Sequence, residues 1–325
     1  MLDLELLHSW MTDGARATLG REKDVPVFTT TVIQIALKHR FLMHQVLSLS
    51  ALHLAHVRPH MASLYSNASD NHIATALAMF QPEIAKIDAE NCNACFSFST
   101  QVFMQAWARQ DVNKPSTLFF SPANYVEDSG LATVQWPVQW IKLHRGAMNV
   151  IEAAWGILST GPLRCLFDDM RGLNPDRDDP LPEEVRPFVE ALPEAWVGGS
   201  TSVAQKEDLF KAFGKMKRIF SMLAFMPHIG KLHVVMAWFS WIPDGFLVML
   251  ESKVPEALLV VMYFCVALKD AEIVFWLEGK TVNLLKTCLD AIGDGWERWT
   301  RWPIDQVLGP GWVMRENFPG GMSLQ

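Results

Sequence analysis

Residues 39–59 read HRFLMHQVLSLSALHLAHVRP. From Phe41 to His56 the run is strongly apolar, with the spacing of a buried helix. Pro59 ends it, because proline lacks an amide hydrogen and disfavours the helical conformation in the residue before it. His44, His53 and His56 sit on this helix. His53 and His56 have a metal-compatible i, i+3 spacing, but no carboxylate stands near them in sequence, so they read as core or surface histidines.

The same period extends in both directions. Leu4, Leu7, Trp10 and Met11 recur at helical steps, and residues 31–37 carry no charge before Lys38-His39-Arg40 interrupts them. Further helical stretches are expected at 65–80, 82–87, 94–107, 138–158, 206–226, 233–241, 246–250, 255–277 and 282–291. Thr160-Gly161-Pro162 ends the fourth of these. No run of β-branched residues alternates with polar ones. The sequence therefore predicts an all-α fold, a single helical domain over residues 1–325.

Two stretches break the pattern. Residues 109–137 hold Pro115, Pro122, Gly130 and Pro137 and read as a connection. Residues 172–207 hold five prolines and then Gly198-Gly199-Ser200, and read as a mobile loop or lid.

Composition narrows the function. The chain has 325 residues, half of them hydrophobic, ample for a large core. Lys plus Arg is 28 against 35 Asp plus Glu, a formal charge of −7 with no basic block, so no nucleic-acid partner is expected. Cys92, Cys95, Cys165, Cys265 and Cys288 are odd in number and mostly within apolar runs, which suggests a reducing compartment; a cytoplasmic location is expected. Cys92 and Cys95 have CxxC spacing without a second pair to complete a tetrahedral metal site. The longest apolar runs, 234–242 and 258–268, fall short of the roughly 20 residues that span a bilayer, so no membrane span is expected. Patterns of the GxSxG, P-loop and GxGxxG kinds are absent.

Tryptophan is abundant, at 13 beside 19 Phe, 16 Met and 3 Tyr. These side chains supply large, adaptable apolar area. They suit either a big core or a core with room for a bulky apolar ligand.

Polar residues gather in three places. Asp168-Asp169 follows a tryptophan-bearing helix and a Gly-Pro turn, although Gly172 stands where a DDxxD pattern needs its third acid. Asp178-Asp179, with Glu183 beyond, lies in the proline-rich stretch. Lys280 opens a helix on which Lys280, Asn283, Thr287 and Asp290 share one face, opposite Val282, Leu285, Leu289 and Ile292. A lone stripe of this kind is ordinarily the wet face of a helix.

Residues 39–59, 65–80, 119–124, 140–163 (WIKLHRGAMNVIEAAWGILSTGPL), 255–277 and 296–303 (WERWTRWP) together resemble the C-terminal regulatory domain of fungal zinc-cluster transcription factors of the sterol-uptake-control type. The resemblance implies an α-helical fold around a deep apolar pocket for a sterol-like lipid. The sequence departs from it in three ways. No cysteine precedes Cys92, so the six-cysteine DNA-reading cluster is not in this sequence. Lys280 replaces an aromatic in the turn Phe275-Trp276-Leu277-Glu278-Gly279-Lys280-Thr281, and the acidic pair Asp168-Asp169 is added.

These departures resemble an enzyme branch, the atypical humulene synthases of fungal tropolone-sesquiterpenoid pathways, which use magnesium and an essential lysine. That resemblance implies a sesquiterpene cyclase converting farnesyl diphosphate to humulene or a related macrocycle. Class I chemistry needs cations where diphosphate leaves and an apolar cavity that shields the carbocation from water. In this reading Lys280 grips diphosphate. Asp168 and Asp169 bind Mg2+, with Asn283, Thr287 and Asp290 as a second set of ligands. The alternative is a non-catalytic lipid- or sterol-binding regulatory domain.

Overall fold

The computed structural model describes residues 1–117, 139–170, 174–197 and 201–312; for 139, 140, 142–144, 147, 169 and 170 it describes the backbone alone. The 119–124 stretch of the resemblance, the side chain of Asp169 and Gly198–Ser200 lie outside the described residues. The described residues are helical, with no strand among them.

The N-terminal part winds α1 (Leu2–Ser9), a π turn (Trp10–Gly14), α2 (Ala15–Leu19), a second π turn (Val27–Thr31) and α3 (Val32–Ala36). The long pair α4 (Arg40–Val57) and α5 (Ala62–Ile84) follows, then α6 (Cys92–Ala108) and α7 (Gln139–Leu158). The remainder comprises α8 (Arg186–Ala191), α9 (Val203–Phe225), α10 (Lys231–Trp241), α11 (Asp244–Glu251), α12 (Pro255–Lys269), α13 (Lys280–Ile292) and α14 (Glu297–Val307).

Helices with few or no charged residues go to the centre, where no face must meet water. α6 buries thirteen of its residues and α12 twelve, and each anchors a core. Around α6 gather Phe41, Leu49, Phe80, Val150 and Phe167; around α12 gather Met216, Trp238, Phe246, Leu285 and Trp302. α4 and α6 pass in fixed register: Phe41 meets Phe98 with ring centres 5.7 Å apart, and Ser48 meets Gln105 one heptad on at 2.8 Å.

The tryptophans fill space rather than surround it. Trp10, Trp107, Trp196, Trp238 and Trp276 are fully buried; Trp238 stacks on Phe264 at 4.2 Å and Trp107 meets Trp276 edge-on at 6.5 Å.

Two expectations need revision. The helix expected over 255–277 stops at Lys269, and the chain runs non-helically to Gly279. The end of α2 holds this link: the Phe275 amide donates to the Ala17 carbonyl at 3.2 Å, and the Trp276 indole N–H donates to the Thr18 carbonyl at 2.8 Å. Gly20 lets the two segments approach, since a Cβ there would stand 3.0 Å from Val274 Cγ1 at a backbone φ of +66°. The 172–207 segment, expected as a loop or lid, carries α8 and the 3-10 helix Leu192–Trp196 in its described part. Leu181, Val189, Leu192 and Trp196 seat it in the core.

Candidate functional site

A cleft of about 550 Å³ opens where α4, α5 and the end of α6 meet the link into α13. Leu52, Ala55 and His56 line it from α4, Ser66 and Asp70 from α5, Ala108, Arg109 and Val112 from the end of α6, and Phe275 and Glu278–Lys280 from the link. Neither Trp nor Met stands in its wall. The apolar, tryptophan-lined pocket expected from sequence is thus not this cleft, whose walls are part apolar and part charged.

Each part of the wall is held for a reason visible in the sequence or the packing. Gly279 takes the left-handed conformation, φ +71°, that turns the link into α13 and that glycine adopts without a Cβ clash. Beneath the cleft the Gln105 amide donates to Ser48 Oγ at 2.8 Å and Ser69 Oγ at 2.9 Å, pinning α6 to α4 and α5. At the rim Arg109 pairs with Asp70, and His56 Nε2 lies 3.1 Å from Glu278 Oε2.

Lys280 is buried in this wall, and its Nζ donates to the Gln110 carbonyl. Among the described residues it has no ion pair. Burial disfavours the ammonium and brings its pKa down to about 8, against the opposing pull of Asp111 and Glu278.

The polar face of α13 is real, but its partners are backbone groups. Asn283 donates to the carbonyls of Val112 at 3.0 Å and Lys114 at 2.6 Å. Thr287 Oγ1 accepts the Ser116 amide at 2.8 Å and donates to the Asn283 carbonyl at 2.8 Å. Lys280, Asn283 and Thr287 therefore brace the non-helical residues 110–116 after α6. Asp290, the fourth residue of the stripe, is exposed near the far end of the helix.

The acidic pair lies elsewhere. Asp168 is exposed on the 3-10 helix Arg164–Met170, whose Phe167 packs on Phe96 with ring centres 5.0 Å apart. Phe96 is near the start of α6, whereas Lys280 meets Gln110 just past its end. Fourteen residues at ~1.5 Å each put these points roughly 20 Å apart. Asp178 and Asp179 are taken by cations of α9: Asp178 lies 3.6 Å from Lys217, and Asp179 pairs with buried Arg218 and, at 2.7 Å, with Arg177. Among the described residues no three His, Cys, Asp or Glu side chains converge as metal ligands. Magnesium prefers carboxylate oxygens with several retained waters; of the carboxylates near Lys280, Glu278 pairs with His56 and Asp111 is held by Asn113 and Lys114, while Asn283 and Thr287 are already in use. These residues do not fit the expected Mg2+ site.

The sequence reading singled out Lys280 but missed Asp70, Arg109 and Phe275. His56 was visible yet carried no signal of its role, because its partner Glu278 is 222 positions away.

Residues 26–116 match the fungal specific transcription factor domain. The match covers α4, α5 and α6 and thus most of the cleft wall. The chain is also similar to sterol uptake control protein 2 of Candida albicans, 23% identical over 156 residues, which are 48% of this chain and 19% of the relative. The chain thus spans about a fifth of that relative's length. It carries a fungal transcription-factor-like domain. Among the described residues no single helix is long and apolar enough to cross a membrane.

Proposed function

We propose that this chain is a non-catalytic regulatory domain that binds a sterol-like lipid in the cleft between α4, α5, α6 and α13. One observation carries the reading: the cleft is built largely from the residues that match the transcription-factor domain, Leu52 to Val112, and its volume falls within the ~300–1,000 Å³ usual for small-molecule sites. Leu52, Ala55, Ala108, Val112 and Phe275 offer apolar surface to a lipid body, and the charged rim offers hydrogen bonds to a polar end. Similarity to a sterol uptake control protein supports the ligand class.

Titration with the fluorescent sterol dehydroergosterol tests this. Saturable binding is expected, weakened at least tenfold in Ala55→Trp, which fills the wall. No saturable binding, or equal affinity in a folded Ala55→Trp variant, overturns the reading. Incubation with farnesyl diphosphate and magnesium is the companion assay. No hydrocarbon is expected by gas chromatography, and a hydrocarbon product would replace the receptor reading with the cyclase.

A further inference from the structure

The cleft wall holds an amine whose surroundings favour its neutral, nucleophilic form. Lys280 is buried there with one hydrogen directed to the Gln110 carbonyl. The carboxylates that share the wall are engaged elsewhere, Asp70 with Arg109 and Glu278 with His56. With the pKa at about 8, about a quarter of the amine is neutral at pH 7.5, against roughly one part in a thousand for an ordinary lysine.

The wall does not favour an anion. Arg109 and Lys280 are balanced by Asp70 and Glu278, so its formal charge is zero with His56 neutral. A neutral electrophile meets no such obstacle. Leu52, Ala55, Val112 and Phe275 provide apolar surface for its body.

We propose that Lys280 captures carbonyl compounds: the cleft takes an apolar aldehyde or ketone and holds it as an imine on Nζ. This rests on the cleft being a small-molecule site, as argued above. The neutral amine attacks the carbonyl carbon, a C–N bond forms, and the carbonyl π pair moves to oxygen. That oxygen takes up a proton while nitrogen loses one, giving a carbinolamine. A second proton lets the hydroxyl leave as water as the C=N bond forms, and nitrogen sheds its remaining proton. The sum is amine plus carbonyl giving imine plus water, with no oxidant or reductant. His56 and Glu278, in the same wall, are groups through which those protons can pass.

Benzaldehyde with sodium cyanoborohydride, which reduces an imine to a stable benzylamine, tests the proposal on the full chain. Peptide mapping at pH 7.5 should find Lys280 labelled at least tenfold faster than the exposed Lys114 and Lys231. Its labelling should rise through about pH 8 and level off. Ala55→Trp should suppress labelling at Lys280 and leave Lys114 unchanged, and Lys280→Arg should remove the fast adduct. Labelling of Lys280 no faster than of Lys114, or only at strongly alkaline pH, overturns the proposal. Saturable sterol binding without a preferred adduct overturns this inference alone; loss of both signals removes the ligand reading of the cleft as well.

Discussion

The side-chain amide of Asn283 donates to the backbone carbonyl of Lys114 across 2.6 Å, and also reaches the Val112 carbonyl at 3.0 Å. Lys280 likewise donates to the Gln110 carbonyl, and Thr287 Oγ1 accepts the Ser116 amide. Buried backbone groups of a non-helical segment need partners, and here one face of α13 supplies them. The arrangement fixes Val112 and Lys280 against each other and so shapes the cleft.

Asn283→Leu removes both donors while keeping the side-chain volume. A loss of about 1–3 kcal/mol is expected from urea denaturation. Amide hydrogen exchange should quicken in residues 110–116 and stay unchanged in α12. Unaltered exchange there would show that α13 does not brace this segment.

Trp276 joins the link before α13 to α2 through its indole N–H on the Thr18 carbonyl. Trp276→Phe should cost about 0.5–1.5 kcal/mol for the hydrogen bond. Trp276→Ala should cost about 3–5 kcal/mol, because it also opens a cavity beside Phe103 and Trp107. Thermal or chemical unfolding separates the two effects.

Asp179 faces Arg218, whose side chain is only 2% exposed. Asp179→Asn leaves a buried guanidinium without its counter-charge, at a cost of about 3–5 kcal/mol. The double variant Asp179→Leu/Arg218→Met should recover part of that loss. A single variant as stable as the wild type would show that Arg218 finds another anion.

Acid should weaken the fold through His44 and His53. Burial, the largest cause, lowers both below the ordinary 6.5; His72 and Arg40 add to it at His44, and His56 at His53, with Asp3 and Asp13 opposing. Both groups are neutral in the folded state, so their contribution is fully present above pH 6.5 and is lost as pH falls through the lowered values. The urea midpoint should be flat from pH 8 to 6.5 and drop towards pH 5, and His53→Phe should reduce the drop.

Lys280 acts at the other end of the scale. The folded state releases its proton near pH 8 and the unfolded chain near 10.5, so stability gains from this group as pH rises between them. Lys280→Met should lack that gain when unfolding midpoints at pH 8 and pH 10 are compared.

Much of the helical order was legible in the sequence. The apolar period of residues 39–59 became α4, and Pro59 stands where it ends. The polar stripe from Lys280 to Thr287 was legible as a face, but its partners were not. They are backbone groups of residues 110–116, roughly 170 positions away, and backbone groups leave no trace in residue identity. The break between α12 and α13 was equally hidden, because it depends on carbonyls of α2 that capture Phe275 and Trp276.

The sequence by itself determined the all-α class and most of the helical segments, though not the break after Lys269 or α8, because periodicity and apolar content are local properties. Tertiary structure alone decided that the buried tryptophans pack against other aromatic rings and fill the interior. It also decided that Asp168 and Lys280 stand at opposite ends of α6, and that His56, Asp70, Arg109 and Glu278 share a cleft with that lysine. Such meetings depend on how helices cross, and crossing is set by side-chain packing over the whole chain.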